Sequence, residues 1–94
     1  MNYNPTHKKC IEFFGEEEEL RKANEALKQL QELLKYKKID KRSLVAKMAA
    51  VYHANMRLEY MFNLQFRQIG KLIDGRFRHE LRLIQSWERN ELPN

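Results

Sequence analysis

Three histidines, one cysteine and a run of four glutamates are the side chains of this 94-residue chain best suited to chemistry. A metal centre or a general acid–base pair needs such groups to converge, most simply three or four residues apart on one helix face. His7, His53 and His79 have no carboxylate at that spacing, although His79 adjoins Glu80, so each reads as a surface or internally satisfied histidine. Cys10 has only His7 as a neighbour of ligand type and reads as a structural thiol. Glu16 to Glu19 lack the spaced Asp/Asn/Gly loop of a calcium site and instead suit a helix start, where carboxylates face the positive end of the helix dipole. No glycine-rich phosphate loop, paired cysteine, HExxH or GxSxG sequence is present.

The elements that would position these groups are helices. Only three glycines and two prolines occur, and both prolines lie near the ends of the sequence. With 43% apolar and 33% charged residues and a mean hydropathy of −0.78, the chain reads as a single folded all-α domain over 1–94, without a membrane-spanning segment. The spacing predicts a short helix over 6–14 ended by Gly15, then a helix from Glu16 to about Tyr36 with Leu20, Ala23, Leu27, Leu30 and Leu34 as its core stripe. Asp40 or Ser43 caps a third helix, antiparallel to the second. Its seam carries Leu44, Met48, Val51, Asn55, Leu58 and Phe62. A fourth runs from about Gln65 to Asn90 with Phe66, Ile69, Ile73, Phe77, Leu81 and Ile84 in line. Gly70 and Gly75 suggest a bend or close packing there, and a frayed tail follows over 91–94. The single cysteine and the absence of a secretory leader pattern point to a reducing, cytoplasmic setting.

The order of these elements resembles the MazG-like all-α nucleoside triphosphate pyrophosphatases over nearly the whole chain. The resemblance rests on IEFFGEEEELRKANEALKQLQELLKY, SLVAKMAAVYHANMRLEYMF and a final basic amphipathic helix. In that family, E-E-x-x-E-L on one helix and E-E-x-x-D-V on the next supply four carboxylates. These bind Mg²⁺, which polarises the nucleotide phosphates for attack by water. Here the first motif falls at Glu25-Ala26-Leu27-Lys28-Gln29-Leu30 and the second at Ala46-Lys47-Met48-Ala49-Ala50-Val51. The resemblance therefore implies an antiparallel helical bundle that forms dimers or higher assemblies. It also implies a lost metal site, because Ala26, Gln29, Lys47 and Ala50 occupy all four ligand positions and Mg²⁺ requires anionic oxygens. Glu25 alone is too few ligands, and reads as an exposed helix residue beside Lys22 and Lys28.

Function is expected to follow from what replaced the acids. Ala46, Ala50, His53, Ala54 and Arg57, bordered by Lys47, share one face of the third helix, and Lys22, Ala26, Gln29 and Leu33 share one on the second. Small residues flanked by bases suggest an open cationic surface, with Arg57 as a bidentate donor to the carboxylates of an acidic protein partner, such as an enzyme's acidic cleft. The expectation is a diverged or redesigned non-catalytic binding protein with no cofactor and no metal. Tyr52, Tyr60, Met61, Leu83 and Trp87 add apolar surface suited to a homodimer. The net charge of +5 lies mostly in residues 39–94, with ten bases against six acids. Nucleic-acid binding is therefore one alternative, disfavoured because no recognition motif accompanies the charge, and a pyrophosphohydrolase with altered activity is the other.

Overall fold

The computed structural model describes residues 2–91. They form four helices, α1 (Asn4–Phe14), α2 (Glu16–Leu34), α3 (Lys41–Met61) and α4 (Phe66–Glu91), with no strand among the described residues. The all-α reading therefore stands, with boundaries shifted by one to two residues. Leu92, Pro93 and Asn94 of the expected frayed tail lie outside the described residues, and Glu91 is the last residue of α4. The chain divides into two compact units, Met1–Leu64 and Gln65–Asn94.

In the first unit, Pro5 sits in the first turn of α1, where its missing N–H removes no helical bond. Gly15 ends that helix as expected, but not in the left-handed helical conformation. At φ 89° and ψ 156° it lies in a region open essentially to glycine alone. Its N–H donates to the Ile11 carbonyl at 2.8 Å and its carbonyl accepts from the Glu19 N–H at 3.1 Å, so one residue closes α1 and opens α2. A Cβ built on Gly15 would meet nothing within 4 Å, so any cost of a side chain there is torsional. Gly15→Ala is expected to destabilise the unit by about 1–3 kcal/mol, read from the midpoint of urea unfolding. An unchanged midpoint would show that the joint relaxes freely.

Glu16 to Glu19 form the first turn of α2, and the helix stops at Leu34 rather than Tyr36. Asp40 is the cap of α3: its carboxylate accepts from the Ser43 N–H at 3.2 Å and from the Ser43 hydroxyl at 2.9 Å. Those two bonds hold the Asp40 carboxyl below its ordinary pKa, the side-chain bond contributing most. The other end of α3 closes with Asn63 at φ 53°. The Asn63 N–H reaches the Tyr60 carbonyl and the Leu64 N–H reaches that of Glu59, the paired bonds of a Schellman motif. Asparagine is among the few residues other than glycine that adopt this φ readily.

α2 and α3 pack antiparallel: Glu19 meets Arg57 near one end, and ten residues along α2 Gln29 meets Lys47. The facing surfaces carry Ala23, Ala26, Leu30 and Leu33 on α2 and Leu44, Val51, Ala54 and Leu58 on α3, all buried or half-buried. The alanines let the helices approach closely. Leu20, Leu27 and Leu34 of the expected core stripe lie instead on an exposed flank, as do Met48, Asn55 and Phe62 of the expected α3 seam. The apolar arc of α2 is wider than one neighbouring helix covers, and its other edge faces α3.

The second unit is α4, 26 residues in one helix of about 39 Å. It passes through Gly70 and Gly75 without interruption. A Cβ at Gly75 would meet nothing within 4 Å, and one at Gly70 only the Phe66 ring at 3.9 Å.

Candidate functional site

The most organised side-chain cluster in the first unit joins all three of its helices. Arg57 on α3 is 6% exposed, and its Nη1 donates to Glu19 Oε2 on α2 at 2.8 Å while its Nε donates to His7 Nδ1 on α1 at 2.7 Å. His7 is 6% exposed and Glu19 4%. The guanidinium is a permanent donor, so Nδ1 must hold a lone pair. The imidazole is therefore neutral, with its proton on Nε2. Tyr60 stacks on the His7 ring, 5.7 Å between centroids. Lys22 lies 3.7 Å from Glu19 Oε1 and 3.4 Å from the centre of the Phe14 ring, joining the cluster to the end of α1. Glu19 Oε1 has no hydrogen-bond partner among the described residues.

This overturns the role expected of Arg57. It does not stand on an open face as a donor for an outside carboxylate, because Glu19, one of four adjacent glutamates, already takes its guanidinium inside the protein. The remaining residues of the expected face divide. Lys47 is half-buried and donates to Gln29 Oε1 at 2.9 Å; Ala26 and Ala54 are half-buried between the helices. Gln29, Ala46, Ala50 and His53 are exposed. Gln29 also donates to Glu25 at 3.3 Å, so Glu25 pairs along its own helix with an amide rather than with Lys22 or Lys28. The alanines do permit close approach, but of α2 to α3. Among the described residues no group of three or more His, Cys, Asp or Glu is arranged to hold a metal, and none of the helices is long and apolar enough to cross a membrane. Cys10 is half-buried.

Glu19 and His7 were not singled out from sequence as members of a site. For Glu19 a signal was present: at 19, 23, 26 and 30 it shares the helix face of Ala23, Ala26 and Leu30, the face turned to α3. For His7 there was none, since one histidine between Thr6 and Lys8 on a short helix does not specify its partner.

The geometry carries a pH dependence. Burial, then the charge of Arg57, then that of His53 lower the His7 pKa below 6.5, against a smaller opposing effect of Glu19. The folded state therefore resists a proton that the unfolded chain accepts. The contribution is complete above about pH 6.5 and is lost as pH falls from there through the lower folded value. Melting temperature is expected to drop between pH 7 and pH 5 by more in the wild type than in His7→Asn, whose amide oxygen can accept from Arg57 without titrating. Parallel curves for the two proteins would exclude His7 as the source.

No family model matches the chain, and comparison with curated proteins and with solved structures gives no match.

Proposed function

We propose that this chain is a non-catalytic helical binding protein on a MazG-like scaffold, and that its working surface is the apolar flank of the α2–α3 hairpin, covered by a second copy of the chain. One observation carries the reading. Ala23 is the only buried apolar side chain among the described residues, whereas Leu20, Leu27 and Leu34 on α2 and Val45, Met48 and Tyr52 on α3 are 38–67% exposed. Both sets repeat at helical spacing, so they form continuous stripes rather than scattered apolar residues. Stripes of this kind mark interfaces. A unit of three helices with so little internal core gains most of its hydrophobic stabilisation from association.

The scaffold assignment is supported by the placement of the former ligand positions. In a MazG-like hairpin these face one another across two helices. Here Gln29 and Lys47, two of the four, bond directly across α2 and α3, with Ala26 half-buried beside them. A lysine and an amide at those points leave no anionic pair for Mg²⁺. Binding of an acidic partner on this face would fall to His53 and the half-buried Lys47, without Arg57, and so has less support than association through the apolar flank. Sedimentation equilibrium at micromolar concentration tests the proposal. A mass of two or more chains, unaffected by moderate salt, is expected; a monomer with a cooperative melt refutes it.

A further inference from the structure

The buried His7 forms part of a cleft separate from the apolar flank. This cleft, of about 640 Å³, lies between the start of α1 and the end of α3, with Tyr3, His7, Glu59 and Tyr60 in its lining. Its polar groups are incompletely used by the protein. The His7 Nε2–H, whose position follows from Arg57 donating to Nδ1, has no acceptor among the described residues. It is not sealed off either, because among the described residues Glu19 Oε1, outside the cleft, is the only sealed side-chain polar atom that lacks a partner. Glu59 is a half-buried residue whose carboxylate accepts no hydrogen bond and joins no ion pair among the described residues. Although the chain has 18 lysines and arginines, none lines the cleft. A strongly basic protein thus keeps one concave surface with a free carboxylate, two tyrosines and a pre-set donor.

We propose that this cleft binds an alkylammonium group, with the cation at Glu59 between Tyr3 and Tyr60 and a neighbouring oxygen on the ligand accepting from the His7 Nε2–H. An ammonium suits a cleft carboxylate that pairs with no cation among the described residues, and tyrosine rings attract cations through their electron-rich faces. The donor at Nε2 adds a preference for a ligand that carries a hydroxyl or carbonyl close to its nitrogen. Its direction is fixed in advance by Arg57 and Glu19, so little ordering is left to occur on binding. This inference does not depend on self-association, since none of the residues assigned to the ligand, Tyr3, His7, Glu59 and Tyr60, belongs to the stripes assigned to the second copy.

The test uses the whole chain and simple probes followed by NMR titration. Ethanolammonium is expected to bind more tightly than ethylammonium, and acetate at equal ionic strength is expected to leave the cleft resonances unmoved. Glu59→Gln should weaken both amines about tenfold while leaving the fold intact by circular dichroism. His7→Asn, which keeps an acceptor for Arg57 but has no Nε2–H, should abolish the advantage of ethanolammonium over ethylammonium. Nα-acetyl-lysine amide separates the sources of the cation: tighter binding than ethanolammonium assigns a lysine side chain of another protein, weaker binding a free amino alcohol, and either agrees with the proposal. Equal amine binding by wild type and Glu59→Gln, or equal shifts with acetate, overturns it.

Discussion

Arg57→Ala is expected to cost about 3–5 kcal/mol of folding stability, the range for breaking a buried ion pair from one side. The guanidinium bonds Glu19 and His7 at the junction of all three helices of the first unit, and alanine would leave the Glu19 carboxylate buried with only Lys22 at 3.7 Å. For a domain of this size the loss is of the order of the total stability. Urea unfolding of Arg57→Ala measures it, and the double variant Arg57→Met, Glu19→Gln decides its cause. If the penalty comes from the stranded carboxylate, the double variant recovers a large part of it, because no buried charge remains. A change within about 0.5 kcal/mol for Arg57→Ala would place it with ordinary surface substitutions and return the guanidinium to the role of a donor for an outside partner.

The other large effect is on assembly. Leu27→Glu combined with Tyr52→Glu puts a carboxylate on each of the two apolar stripes, and is expected to convert an associated species to monomer at micromolar concentration. A stable interface removes about 800 Å² from each partner, and a charge desolvated within it opposes association by several kcal/mol. Neither side chain takes part in the facing surfaces of α2 and α3, where Ala23, Ala26, Leu30, Val51 and Ala54 meet. Lys37→Glu, in the connection after α2, serves as a control and should leave the mass unchanged. The wild-type mass in both variants would show that the flank is not the interface.

Most of the local structure was legible in the sequence because it depends on neighbours. Gly15, the acidic first turn of α2 and Asp40 with Ser43 each act within four residues, and the structure uses all of them at helix ends. Apolar spacing located the helices for the same reason. It did not fix the direction each stripe faces, because the apolar arc of α2 is wide and the edge turned to α3 is chosen by contacts distant in sequence. Glu19 and Arg57 are 38 residues apart, and His7 and Arg57 are 50. Hence the reversal at the candidate site: Arg57 appeared as an exposed cation among alanines, whereas those alanines and Arg57 belong to the packing of the hairpin. Four consecutive glutamates look alike in the sequence; the structure buries Glu19 alone of the four, beside Ala23.

The one-residue joint at Gly15 also limits how the chain length can vary. His7 and Glu19 must both reach Arg57, and the eleven residues between them include a single non-helical position. One added residue within α1 or the start of α2 would turn every following side chain by about 100° about the helix axis, carrying one of the two partners away from the guanidinium. Insertions and deletions are therefore excluded from this stretch. Residues 36–39, between the Lys35 cap of α2 and the Asp40 cap of α3, have no such constraint: they lie outside both helices and are mostly exposed. Length change is tolerated there, and a tag or grafted loop placed in that connection leaves the junction of the three helices undisturbed.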